Sequence, residues 1–247
     1  MALPVVFVHG GAHGAWCWEP LLGHLDGTVL AVDLPPKSIR GVPVPDVPPP
    51  ELATTTLDDF VTSAIADVDA AGIDRFVLVG HSMGGLTIAE MARRIPERID
   101  RLVFVSCMVP AEGGLVADAI PASVGEEARE ALAESVDDQI GIGEATIRRM
   151  FCNDMTEEQT QLVLSRTGTE AMAVFAETVS RVGIPPDLPK TYVRLLRDQA
   201  LTPSDQDAAI AALRDSPGGA VDVVELDTGH DVMISAPPAL AAVLSEL

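Results

Sequence analysis

Short apolar runs alternate with stretches of helical periodicity along most of the chain. Val5 to Val8 and Val29 to Val32 have the length and β-branched content of buried strands. Arg75 to Val79, Leu102 to Val105, Tyr192 to Leu196 and Val221 to Leu226 supply four more. Between them the period lengthens to that of a helix. One helix is expected from about Trp18 to Leu25, with Pro20 tolerated in its first turn. The clearest carries Leu57, Phe60, Val61, Ala64, Ile65 and Val68 on one face, opens with a Thr56–Asp59 capping box and stops at Gly72. Another runs from Met83 to Arg94 and ends near Pro96, and two more are expected at about Ser204–Arg214 and Pro238–Leu247. Strands that alternate with helices specify an α/β protein: a mostly parallel six-stranded sheet with helices on both faces.

The alternation breaks once. Between Met108 and Leu188 strand-like runs vanish, and helical segments are expected at Glu126–Ser135, Glu144–Met150, Thr156–Arg166 and Glu170–Arg181. Residues 108–188 therefore read as a helical lid inserted in a core built from residues 1–107 and 189–247. The stretch from Leu34 to Pro50 holds seven prolines and is expected to be an irregular surface excursion.

Charge narrows the partners. The 247 residues carry a formal charge of −21, which repels nucleic acid and anionic membrane surfaces and leaves a neutral or apolar ligand unopposed. Cys17, Cys107 and Cys152 are too few and too scattered for a disulfide framework or a metal site, and no cofactor is implied. Met1 leads straight into the first strand without a basic leader, and no apolar run approaches a membrane span, so a cytoplasmic protein is expected.

The chemistry gathers at Gly80-His81-Ser82-Met83-Gly84, a Gly-x-Ser-x-Gly sequence set between a strand and a helix. A serine at such a corner sits on a sharp, strained turn with its hydroxyl above the sheet edge and a helix N-terminus beneath it. A hydroxyl is a weak nucleophile and needs a base, which in turn needs an orienting acid. Of the five histidines, His230 lies just past the last strand, where open parallel sheets place their sites, and it is the expected base. His81 sits inside the turn with its side chain directed away from Ser82. The acid is expected to be Asp198, directly after the strand Tyr192 to Leu196. Asp205 and Asp207 compete from the first turns of a helix, where a carboxylate needs no catalytic role, and Glu112 is a weaker alternative. Oxyanion donors are expected from the backbone N–H groups of Met83 and of Gly11 in the glycine-rich loop after the first strand. Trp16 and Trp18 read as packing residues, and Met150, Phe151, Met172 and Phe175 as lid core, with room for one or two of them to face the substrate.

These residues carry a resemblance. His9-Gly10-Gly11-Ala12-His13-Gly14-Ala15-Trp16, Gly80-His81-Ser82-Met83-Gly84-Gly85, Tyr192-Val193-Arg194 with Asp198, and His230-Asp231-Val232-Met233 all resemble the α/β-hydrolase superfamily. Within it the chain is most similar to the branch of plant methyl esterases and hydroxynitrile lyases and their bacterial esterase-like relatives. The resemblance implies a core sheet that starts directly at the first His-Gly strand and a Ser82–Asp198–His230 triad. The lyases it resembles carry a lysine immediately after the catalytic histidine, where it stabilises cyanide, and many have Thr or Asn at position 10. Here those positions are Asp231 and Gly10, and both departures favour hydrolysis.

The sequence thus points to a serine hydrolase that cleaves a small, neutral carboxylic ester through an acyl-enzyme. A C–C hydrolase or hydroxynitrile-lyase-type enzyme on the same triad, or a non-catalytic ligand-binding protein on a hydrolase scaffold, are the alternatives. The expected partner is a small-molecule ester, with no nucleic acid and no membrane, and assembly as a homodimer is left open.

Overall fold

A computed structural model describes residues 3–35, 54–121, 139–140, 143–168, 170–216 and 218–247. Six strands form one parallel sheet: β1 (Val5–Val8), β2 (Val29–Val32), β3 (Phe76–His81), β4 (Ile99–Val105), β7 (Lys190–Leu195) and β8 (Asp222–Leu226). Their order across the sheet is β2-β1-β3-β4-β7-β8. Two short strands, β5 (Gln139–Ile140) and β6 (Glu170–Ala171), pair antiparallel in a separate ribbon.

The helices are α1 (Glu19–Leu22), α2 (Leu57–Ala70), α3 (Gly84–Arg94), α4 (Glu144–Met150), α5 (Glu157–Arg166), α6 (Pro203–Arg214), α7 (Val232–Ser235) and α8 (Pro237–Ser245). Both sheet faces are covered, and the pleat sorts alternate residues between them. Val6, Val8, Phe76, Leu78, Leu102, Phe104 and Tyr192 pack with residues of α2, α3 and α6 on one face. Phe7, Val79, Val103, Val105, Val193 and Leu195 pack with Trp18, Leu21 and residues of α7 and α8 on the other. Strands covered on both faces are apolar where the two layers meet them, so Val5–Val8 and Leu102–Val105 stand out as runs in the sequence, whereas β7 and β8 also carry Lys190, Arg194, Asp222 and Glu225.

Chain order creates the place for a site. The chain leaves β1 for β2 on one side and returns to β3 on the other, so the connections after β1 and β3 pass to opposite faces of the sheet. Such a switch point opens a crevice above the sheet. Register brings the strand ends level there: Val8 lies opposite Gly80, and His81 opposite Val105.

Most element boundaries move by a residue or two from those the sequence predicts, and three readings change. The helix expected over Trp18–Leu25 is a 3-10 turn at Ala15–Trp18 followed by the single turn α1. The helix expected at Glu170–Arg181 does not form. In its place β6 is followed by a 3-10 turn at Met172–Ala176, and the chain then runs extended beside 114–116. Leu115 bridges Thr178, the Val116 N–H donates to the Glu177 carbonyl, and the Val179 N–H donates to the Gly114 carbonyl. Strand-like pairing is thus present in 108–188, where none was expected. The helix expected at Glu126–Ser135 and most of the proline-rich stretch lie outside the described residues. No described helix is long and apolar enough to cross a membrane.

Candidate active site

Backbone strain marks the site first. Among the described residues, only Ala12, Ser82 and Ser106 are non-glycines with positive φ, at 60°, 52° and 40°. They follow the ends of β1, β3 and β4. A left-handed non-glycine costs about 1–2 kcal/mol, and such strain concentrates at functional sites. The corner at Ser82 is tight because α3 runs beneath β1: a Cβ on Gly84 would stand 2.6 Å from the His9 carbonyl oxygen and 2.8 Å from that of Val8.

Two loops at neighbouring strand ends bring Asp198 and His230 together. The His230 Nδ1 donates to Asp198 Oδ2 at 2.6 Å, and both side chains are buried. The same oxygen accepts from Ser106 Oγ at 2.6 Å, and Oδ1 accepts from the N–H groups of Ala200 and Leu201 at 2.7 and 2.8 Å. With both oxygens taken twice, the carboxylate has one orientation, and it fixes the imidazole with Nε2 free to accept a proton. Burial alone would push His230 down, but the charge and hydrogen bond of Asp198, with help from the charge of Asp231, raise its pKa above the ordinary histidine value.

The rival carboxylates are engaged elsewhere. Asp205 closes a capping box with Thr202 at the start of α6, Asp207 pairs with Arg194, and Glu112 accepts from Ser180 and the Arg181 N–H. Ser82 is half-buried beside His81, whose ring lies 4.5 Å from that of His230. Among the described residues no hydrogen bond joins Ser82 Oγ to His230. Catalytic hydrogen bonds are often loose until a substrate seats. The backbone N–H groups of Gly11 and Met83 likewise have no acceptor among the described residues, so both are unspent.

A second buried layer, not foreseen from the sequence, lies behind the first. His13 Nε2 meets Asp231 Oδ2 at 2.9 Å, and His13 Nδ1 meets the Gly11 carbonyl at 2.8 Å. Both ring nitrogens of His13 thus face oxygen atoms. Burial works against the Asp231 carboxylate, but the charge and hydrogen bond of His13 outweigh it and hold its pKa below the usual carboxylate range. His81 donates from Nε2 to the His230 carbonyl at 3.1 Å, and burial, followed by the charge of His230, pushes its pKa well down. His81, His230 and Asp231 offer atoms of metal-ligating type within 4.8 Å of one another. His230 Nδ1 and Asp231 Oδ2 are already committed to Asp198 and His13.

Residues near the end of α4 reach into this cluster. Phe151 stacks on His230 at 5.5 Å and meets His13 edge-on at 5.1 Å, so it faces the site as well as the core. Met150 is buried in core, Phe175 is partly buried, and the side chain of Met172 lies outside the description. Trp18 packs on Phe7, as expected of a core residue, and Trp16 stacks on His13. Asp154 accepts from the Gly229 N–H at 2.6 Å and fixes the loop that carries His230. A Cβ on Gly229 would stand 2.5 Å from both Asn153 Oδ1 and Asp154 Oδ1. Gly229→Ala is therefore expected to cost about 1–3 kcal/mol of overpacking. A thermal melt should show the midpoint lower by several degrees, at about 2–4 °C per kcal/mol for a chain of this size.

A parallel sheet with this strand order, a strained serine corner and a His–Asp pair at adjacent strand ends define an α/β-hydrolase. The chain belongs to the alpha/beta hydrolase family, whose model matches residues 5–243. It is related to plant methylesterases: it is 37% identical over 109 residues to methylesterase 9 of Arabidopsis thaliana, across 42% of this chain and 40% of that protein. The chain thus matches about two fifths of the length of the curated relatives of this kind. A probable hydrolase, R7, from a Phoma species is 27% identical over 215 residues, across 86% of this chain and 83% of that protein. An extracellular α/β-hydrolase from a Paenibacillus species superposes with a TM-score of 0.79 at 19% identity, covering 99% and 98% of the two chains. At that identity the likeness speaks for the fold.

Proposed function

We propose that the protein is a serine hydrolase that cleaves a small, neutral carboxylic ester. The observation that carries this reading is the His230–Asp198 hydrogen bond of 2.6 Å beside a serine held at a left-handed corner. Ser82 Oγ attacks the ester carbonyl and passes its proton to His230 Nε2, while Asp198 holds the ring and stabilises the imidazolium. The Gly11 and Met83 N–H groups take the developing oxyanion. The intermediate collapses, His230 returns the proton to the leaving alkoxide, and an acyl-Ser82 remains. Water then attacks with His230 as base, and the acid and free serine are released. Residues 108–188 act as the lid over this site. The relatives that bear the name methylesterase make a methyl ester the first substrate to try.

The position after His230 speaks against a lyase. The residue after His230 is Asp231, which faces His13 rather than offering a cation. The test is labelling by a fluorophosphonate probe, run on wild type, Ser82→Ala and His230→Ala alongside p-nitrophenyl esters of graded chain length. Labelling that requires both residues supports an activated serine; no labelling of folded wild-type protein defeats the proposal.

The raised pKa of His230 carries a pH signature. The ring must be neutral to accept the Ser82 proton, so kcat/KM should fall as pH drops through the His230 pKa. The acid limb is expected above the ordinary histidine value of about 6.5. A limb at or below that value in the pH–rate profile would contradict the electrostatics described above.

A further inference from the structure

The peptide units on both sides of Gly11 are held by hydrogen bonds, and the second is also held from outside the loop. The Gly10 carbonyl, whose peptide supplies the Gly11 N–H, accepts from His9 Nδ1 at 2.8 Å and from the His13 N–H at 3.4 Å. The next peptide is gripped at both ends: the Gly11 carbonyl meets His13 Nδ1 at 2.8 Å, and the Ala12 N–H donates to Glu170 Oε2 at 2.9 Å. The Ala12 carbonyl accepts from the Gly168 N–H at 2.8 Å. Ala12 is one of the left-handed non-glycines, so both of its backbone groups are tied to the inserted segment while its φ is 60°.

Glu170 is built for this contact. Its side chain is buried, with 7% of the residue exposed, and its other oxygen accepts from the Ala171 N–H at 2.8 Å. Gly11 leaves the space it occupies, since a Cβ there would stand 3.0 Å from Glu170 Oε2. An unstrained alanine would leave the left-handed region. Released from its ties, Ala12 would turn, and the Gly11 N–H would turn with the peptide beside it.

We propose that Glu170 is the positioning residue of the oxyanion loop: its carboxylate clamps the Ala12 N–H and thereby aims the Gly11 N–H at the substrate carbonyl. This rests on the serine-hydrolase reading for its catalytic consequence. The inserted segment, on this account, completes the oxyanion hole as well as covering it.

Length and charge separate at this position. Glu170→Gln keeps an oxygen in reach of the Ala12 N–H and turns its amide toward the Ala171 N–H, whereas Glu170→Asp keeps the charge and withdraws it by one methylene. A clamp predicts that Gln, which can still accept from the Ala12 N–H but loses the acceptor facing Ala171, keeps severalfold more kcat than Asp or Ala, which lose about 10- to 100-fold with KM within about threefold. Inhibition by a trifluoromethyl ketone, which mimics the tetrahedral intermediate, should weaken by the same factor, and the acid limb of the pH profile should stay in place. Hydrogen exchange measured on the peptide covering residues 9–16 should quicken in the Asp and Ala variants and not in Gln, whether or not the protein turns over an ester. The reverse order, with Asp active and Gln impaired, would assign a charge role and overturn the clamp. Unchanged exchange and unchanged kcat in all three variants would also overturn it. Wild-type protein that the fluorophosphonate does not label defeats the hydrolase reading instead, and the exchange measurement still decides the clamp.

Discussion

Ser82→Ala is expected to lower kcat for a carboxylic ester by about 10⁴- to 10⁶-fold, the scale on which serine enzymes lose activity with their nucleophile. The change removes one oxygen from a half-buried side chain. Among the described residues that oxygen holds no hydrogen bond to His230. The positive φ at Ser82 is set by the corner, and alanine meets the same backbone cost as serine there. The melting midpoint should therefore stay within a few degrees of wild type while fluorophosphonate labelling disappears. A folded Ser82→Ala protein that still hydrolyses the ester at more than about a hundredth of the wild-type rate would place the nucleophile elsewhere.

Asp198→Asn should cost about 10⁴-fold in kcat while leaving the fold in place. The asparagine carbonyl can still accept from the Ala200 and Leu201 N–H groups, and its amide then faces Ser106 and His230. Ser106 can turn its hydroxyl to accept. His230 cannot do likewise and remain a base. To receive the amide it must present a lone pair at Nδ1, which places its proton on Nε2, the atom that has to take the proton from Ser82. The loss is one of tautomer rather than of geometry, so KM should move much less than kcat. Steady-state kinetics on a p-nitrophenyl ester, with a melt as control, read both. A variant with near wild-type kcat would remove Asp198 from the mechanism.

How far the sequence reveals this arrangement depends on where each residue lies. Ser82, Asp198 and His230 follow strands marked in the sequence by short apolar clusters: Phe76–Val79, Tyr192-Val193 with Leu195, and Val223-Val224 with Leu226. Such strands are easy to find, and the residues after them are few. Asp205 could be set aside on the same reasoning, since a Thr three residues before it makes a cap.

The second layer leaves no comparable trace. Ser106 meets Asp198 across 92 residues, Glu170 meets Ala12 across 158, and His13 meets Asp231 across 218. No local period encodes those pairs, although Ser106 stands at a strand end as Asp198 does. The helix expected at Glu170–Arg181 fails for the same cause. Glu170-Ala171-Met172-Ala173-Val174-Phe175-Ala176 is rich in helix formers, and isolated propensity favours a helix. Tertiary partners outweigh it: Glu170 is drawn to the Ala12 N–H, Glu177 accepts from the Leu57 N–H at 2.8 Å, and the backbone beyond pairs with 114–116.

The aromatic contacts around the histidines have an optical consequence. The chain contains two tryptophans, and both touch this cluster: Trp16 stacks on His13 with ring centroids 5.3 Å apart, and Trp18 meets His81 edge-on at 6.2 Å. With one tyrosine in the whole sequence, almost all ultraviolet emission originates within one ring's width of the buried imidazoles. The intrinsic fluorescence of this protein is therefore a local signal, a built-in lamp on the polar layer behind Ser82, and the rest of the molecule is dark at that wavelength.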